Sequence, residues 1–247
     1  MRTEQEKKER VTNFSSSNIY MLTKNGRAKD SIGAPFYTYI EEKLIEHRLG
    51  RALDKDHSAR PTTWGIFVER FAFELLGLEY KLVSKDRYYH KTISHWSGAP
   101  DLLSEDNIVG DIKCPFTLKS FCQIVNKLEI SNNIAEDLKE IKEEYYWQLV
   151  SNAILTQSTY ADLVMFVPYK EQLQEIRDYL NNEYNGDDIH KYFWIDRALD
   201  EELPYLVKGK FYNNIHAYRF EVPQEDIDFL ENRVKLASGK LEELING

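Results

Sequence analysis

The stretch "GAPDLLSEDNIVGDIKCPFT", residues 98–117, constrains the fold of this chain more than any other. It is rich in strand formers, yet it carries Asp101, Asp111 and Lys113 within thirteen positions. Bringing two carboxylates and an ammonium together inside a fold is costly unless something engages them. Residues two apart on a strand share a face. Asp111 and Lys113 are therefore expected to project together, while Ile112 and Cys114 turn to the other face as core residues. Asp101 lies ten residues before Asp111, across the turn "LSEDN", which can return it beside Asp111 on a neighbouring strand.

Two carboxylates converging from adjacent strands are hard oxygen ligands suited to Mg²⁺, with Mn²⁺ as a substitute, and the Ile112 carbonyl is a candidate third ligand. Mg²⁺ keeps several waters and recruits phosphate oxygens, so the pattern points to phosphodiester hydrolysis. Lys113 would position or help deprotonate the attacking water and add positive charge at the scissile phosphate. The competing reading is a surface Asp–Lys pair on a strand edge, since a bare D-x-K is common. The Pro-Asp at this offset favours the metal. Glu69 does too: in "WGIFVERFAFELL" its helix neighbours Ile66, Ala72 and Phe73 set it beside an apolar stripe. A carboxylate there needs a partner, either a metal (directly or through water) or an unseen Lys or Arg. Glu74, by contrast, is spaced to pair with Arg70 as ordinary surface charge.

Elsewhere the hydrophobic period alternates between helix and strand. "SSSNIYMLT" reads as an N-cap serine before a short helix, and "FYTYIEEKLIEHRLG" as a helix stopped by glycine. "TTWGIFVERFAFELLG" reads as a helix capped by Thr62 or Thr63 and closed by Gly77. "EYKLVSK", "RYYHKTISHW" and "NIVGDIKC" are predicted strands. "TLKSFCQIVNKLE" and "IAEDLKEIKEEYYWQLVSNAILT" return to helical spacing. Strand-like "ADLVMFVPY", helical "KEQLQEIRDYL", strand-like "KYFWID" and "IHAYRFEV", and a closing helix "QEDIDFLENRVKLASGKLEEL" follow. The expected class is α/β (α+β), a mixed central sheet flanked by helices. With no repeat, low-complexity tract or linker, one domain over residues 1–247 is expected, with a helical segment at about 10–60.

The net charge of −9 argues at first against a nucleic-acid partner. Residues 1–60, however, hold 12 Lys+Arg against 9 Asp+Glu, a balance of +3, which leaves −12 on the rest. A basic leading segment on an acidic body suits a protein that meets phosphate on one face. No apolar run approaches a membrane span and the first residues are too polar for a secretory signal, so a cytoplasmic location without membrane partners is expected. Cys114 and Cys122 are too few for a four-thiolate metal or iron–sulfur site and fit a reducing compartment.

Taken in order, these residues resemble the PD-(D/E)XK nuclease superfamily, and within it the lambda-exonuclease-like, YqaJ-type recombination nucleases of phages. "WGIFVE" resembles the family's W-G-x-x-x-E helix, "APD" its S-P-D and "DIKCPFT" its E-[IL]-K-C-P-F-T, while "YYWQLVSNAILT" is similar to its Gln-bearing helix. The likeness spans roughly residues 10 to 240, with Asp111 where close relatives use Glu and Leu102 where they have Gly. The resemblance implies a restriction-endonuclease-like core in which Asp101 and Asp111 bind metal. Glu69 would complete the metal shell, Lys113 assist the nucleophile and Gln148 orient the site or a phosphate. It implies that the helical segment at about 10–60 contributes to DNA binding, that Ser17 opens the first helix near DNA and that Arg10 holds a 5′-phosphate. It also implies a 5′→3′ exonuclease acting on double-stranded DNA ends, a single-strand annealing protein as partner, a homotrimer and a host cytoplasm. Two other functions stay open: an endonuclease of restriction or repair type, and a non-catalytic DNA-binding protein on the same scaffold.

Overall fold

The computed structural model describes residues 11–28, 31–53, 59–77, 80–83 and 86–247. In chain order the elements are β1 (Phe14–Ser15), a 3-10 turn at Ser16–Asn18, α1 (Tyr20–Thr23), α2 (Ala34–Leu49), α3 (Arg60–Glu74), β2 (Tyr80–Leu82), β3 (Tyr88–Tyr89) and β4 (Trp96–Gly98). There follow β5 (Leu102–Ser104), β6 (Ile108–Lys113), α4 (Leu118–Glu129), α5 (Ile134–Ile141), α6 (Glu143–Thr156) and β7 (Tyr160–Phe166). The remainder holds α7 (Gln172–Asn182), α8 (Phe193–Arg197), β8 (Ile215–Glu221) and α9 (Gln224–Asn246).

Among the described residues the strands form a five-stranded sheet in the order β2-β5-β6-β7-β8 and a three-stranded sheet in the order β1-β4-β3. β6 runs parallel to β7 from Ile108↔Tyr160 to Lys113↔Met165, and the other pairings of the larger sheet are antiparallel. This is the mixed sheet flanked by helices that the alternating periods predict. One face of the sheet (Val109, Leu163, Met165, Tyr218, Phe220) packs against α4, α5 and α6, and α2 and α9 extend the same core. The other (Leu102, Ile112, Val164, Phe166) packs against α3, α7 and α8. Ile112 and Cys114 do belong to the core opposite Asp111 and Lys113. At Gly98 the smaller sheet approaches α6 so closely that a Cβ would lie 2.5 Å from Asn152 Oδ1 and against the Ser16 hydroxyl.

Several local expectations are corrected. α3 starts at Arg60 with Ala59 as N-cap and Pro61 in its first turn, where proline's missing N–H costs nothing. Thr63 lies inside the helix, its hydroxyl donating back to the Ala59 carbonyl at 3.3 Å, and the helix ends three residues before Gly77. Its buried stripe is Trp64, Phe67, Val68 and Phe71; Ile66 faces solvent. "RYYHKTISHW" is two strands, because Ile93 N donates to His90 Nδ1 at 2.9 Å to close a turn and His95 adopts a left-handed φ of 59°. "KYFWID" is a 3-10 turn at Ile189–Lys191 followed by α8: Tyr192, Ile195 and Ala198 recur at helical spacing and enter the second core. The helical stretch from 134 to 156 breaks at Lys142, whose φ of −149° and ψ of 67° leave the helical region, so α5 folds back on α6. In "LSEDN", Leu103 and Ser104 belong to β5, and the tight turn falls on 105–107 with Asn107 at φ 58°. No serine side chain caps the helical turns after Phe14.

Candidate active site

The chemistry gathers where β6 ends. β5 and β6 are antiparallel with Leu102 opposite Gly110, which leaves Asp101 beside Asp111 at the end of the pair. Asp101 Oδ2 accepts the backbone N–H of Ile112 at 2.8 Å and is thereby fastened to the strand that carries Asp111 and Lys113. The short connection 105–107 makes this possible, as the ten-residue spacing predicts.

Asp111 is 1% exposed and Lys113 is half-buried. Gln148, projecting from α6, joins them: its Nε2 donates to Asp111 Oδ1 at 2.6 Å and its Oε1 accepts from Lys113 Nζ at 2.9 Å. Lys113 Nζ also lies 2.5 Å from Asp111 Oδ2. That contact is a charge pair without directional alignment, for Oδ2 is buried with no well-oriented donor. The placement on α6 gives Gln148 its role: an amide can donate to an acid and accept from an ammonium at once.

Glu69 reaches the same cluster from α3 on the other side of the sheet. Burial, then the charge on Asp111, pushes its carboxyl up to about 8, and Lys113 offsets only part of this. Burial followed by Asp111 and Glu69 holds the Asp101 carboxyl well above its usual range, against the opposing pull of Lys113 and the Ile112 N–H. For Lys113 burial alone would favour loss of the proton, but Asp111 and Asp101 outweigh it and the ammonium is held protonated. It is therefore a fixed positive charge and not a ready base. Three crowded carboxyls thus share one ammonium, and their mutual repulsion holds Glu69 and Asp101 toward the neutral form.

Arg70 pairs with Glu74 at 2.7 Å on the surface, as their spacing predicts. Cys114 is buried behind the cluster and its thiol is pushed well up by burial and then by Glu69, so it is inert. Cys122 is also a free thiol. The sequence reading passed over Tyr145, whose ring centroid lies 5.0 Å from Lys113 Nζ and 5.5 Å from Lys142 Nζ. Its position three residues before Gln148, on the same face of α6, was the available signal.

Among the described residues no three His, Cys, Asp or Glu side chains close to metal-ligand spacing. The donor set nevertheless fits a hard divalent cation of the Mg²⁺ kind, which needs only one or two carboxylates and keeps its waters. Asp111 Oδ2, buried without an aligned donor, and the mutual repulsion of the three carboxyls are what such an ion would relieve.

Ser17 does not join this cluster. It is exposed in the 3-10 turn, its Oγ 3.3 Å from Ser15 Oγ, while the neighbouring Ser16 points inward to Ser151 at 2.9 Å. Arg10 lies outside the described residues.

No family model matches the sequence, and no curated protein matches it. Solved structures do match in fold. An alkaline exonuclease (LHK-Exo) from Laribacter hongkongensis superposes with a TM-score of 0.63 at 17% identity, covering 99% of this chain and 95% of that one. The same enzyme in complex with dAMP gives the same figures. A phage related exonuclease from Haemophilus somnus 129PT superposes with a TM-score of 0.60 at 15% identity, covering 95% of each chain. At these identities the likeness is one of fold.

Proposed function

We propose that the chain is a Mg²⁺-dependent deoxyribonuclease of the lambda-exonuclease-like PD-(D/E)XK kind. On this reading it degrades linear double-stranded DNA from its ends in the 5′→3′ direction and leaves single strands for an annealing partner in phage-type recombination. The observation that carries the proposal is the joining of Asp101, Asp111 and Lys113 into one buried cluster through the Ile112 N–H and Gln148. The fold shared with the two exonucleases supports it.

Asp101 and Asp111 would hold the divalent ion, with the Ile112 carbonyl as a candidate third ligand and Glu69 completing the shell directly or through water. Such an ion supplies Lewis acidity and a bound water of lowered pKa. The chain's own groups do the rest. Lys113, kept charged by the two acids, stabilises negative charge as it develops on the phosphate oxygens. Gln148 fixes the distance between Lys113 and Asp111, so neither swings away when a phosphate enters. The core behind Ile112 and Cys114 keeps bulk water from the rear of the site.

The test is a linear duplex labelled at one 5′ end beside a covalently closed circle, each with Mg²⁺ and with a chelator. The expected result is release of 5′ label from the linear duplex only, only with Mg²⁺, and slowed about 100- to 1,000-fold in Lys113→Ala. Cutting of the circle would move the assignment to an endonuclease. Full activity of Lys113→Ala would overturn the site.

A further inference from the structure

Between Leu203 and Phe220 the chain has no acidic residue, although acids outnumber bases by nine overall. Residues 207–213 form the loop leading into β8. It is pinned at both ends, by Leu206 N to the Pro168 carbonyl at 2.8 Å and by Val167 N to the Asn214 carbonyl at 3.0 Å. Gly209, at φ +76° with open space around it, makes the reversal. Lys208 and Lys210 flank that glycine; both are exposed, and neither ammonium has an ion-pair partner among the described residues. Phe211 is 85% exposed, the most exposed large apolar side chain among the described residues.

The ring is nevertheless held in place. Phe211 stands edge-on to Tyr212 at 5.0 Å; Tyr212 packs near Phe121 at 6.3 Å and donates its hydroxyl to Asn126 Oδ1 at 2.9 Å. Phe121 and Asn126 belong to α4, which is separated by only four residues from the end of the strand bearing Lys113. The loop thus rests against the helix leaving the catalytic strand, and Asn126 is roughly 12 Å along that helix from its start. An aromatic ring set on a fixed support, bare to solvent and bracketed by two unpaired ammonium groups, has nothing to do for the core.

We propose that this loop binds single-stranded DNA outside the catalytic cluster, with Phe211 stacking on a base and Lys208 and Lys210 meeting the flanking phosphates. Single strands offer both requirements together, a free π-face and closely spaced negative charge, whereas a duplex hides its base faces. The inference rests on the deoxyribonuclease reading for the identity of the polymer, and it gives the strand left by digestion a place on the surface.

The test is anisotropy of a fluorescent oligonucleotide of about 20 nucleotides, in chelator so that nothing is cleaved. Wild type, Phe211→Ala, Phe211→Trp and the double variant Lys208→Gln/Lys210→Gln are compared, with light scattering for mass and thermal melting for folding. Phe211→Ala should weaken single-strand binding about 5- to 150-fold, the range for one lost base stack, with unchanged mass and melting. Phe211→Trp should retain affinity and show indole quenching on titration. The double lysine variant should lower the log–log salt slope by about 1.4, which is 0.7 for each phosphate contact. Affinity of Phe211→Ala within twofold of wild type would overturn the proposal, as would no single-strand binding by wild type. A fall in mass of Phe211→Ala would overturn it in favour of a contact between copies. Phe211-dependent binding by a protein that cuts nothing would leave this inference standing while the nuclease reading failed.

Discussion

At the scale of single residues, Gln148 decides how the charged groups are held. Its amide satisfies Asp111 Oδ1 and Lys113 Nζ at 2.6 and 2.9 Å. Without it, two buried charges keep their attraction but lose their geometry. Gln148→Met, of similar length and without the amide, should lower single-turnover cleavage about 10- to 100-fold, the usual cost of losing a group that orients metal ligands. Melting should fall too, by about 1–3 kcal/mol of stability, because the buried Asp111 Oδ1 loses its amide donor while the acid itself stays in place. The acids and lysine were legible in the sequence because strand periodicity dictates which side chains share a face. Asp101 was legible because a short turn permits only a neighbouring-strand return. Tyr145 was not: an aromatic three positions before a glutamine looks like core until Lys113 is placed over its ring.

At the scale of elements, α3 brings Glu69 to the sheet, and its other contacts decide whether Glu69 stays there. α8 buttresses it: Trp194 Nε1 donates to Thr63 Oγ1 at 2.9 Å, its ring lies 6.4 Å from Trp64, and Arg60 sits 5.2 Å above it. Trp194→Ala is expected to cost about 2 kcal/mol, below the range for a fully buried ring because this one is half-exposed. That corresponds to a fall in Tm of about 4–8 °C for a chain of this size, and the cleavage rate should fall with it as α3 loosens. Phe193→Ala, next in sequence but exposed, is the control and should leave both unchanged. The sequence read "KYFWID" as a strand because aromatic and β-branched residues favour strands. The spacing of Tyr192, Ile195 and Ala198 is the stronger fact, and tertiary burial followed the spacing. β1 escaped notice for a different reason: two residues, Phe14 and Ser15, are too few to show a period.

At the scale of the whole molecule, the crowding of three carboxyls at one site predicts how stability responds to divalent ions. An ion that binds the folded chain and not the unfolded one stabilises it by mass action, about 2.7 kcal/mol at a hundredfold excess over Kd. Millimolar Mg²⁺ should therefore raise Tm by several degrees and chelator should reverse it. Asp111→Asn should erase the gain, and a scanning calorimeter reads this with no DNA present. Overall charge gave little guidance here, since a −9 chain hides both a concentrated acidic cluster and an acid-free loop. The layout also bears on how such a chain comes off a ribosome. α9 supplies Leu230, Val234, Ala237 and Leu241 to the core shared with α2, and Arg233 reaches back to Asn25 across 208 positions. The apolar sides of the early helices thus wait, uncovered, for roughly ten to forty seconds of synthesis at 5–20 residues per second. Nascent chains halted before position 224 should be the ones that chaperones hold.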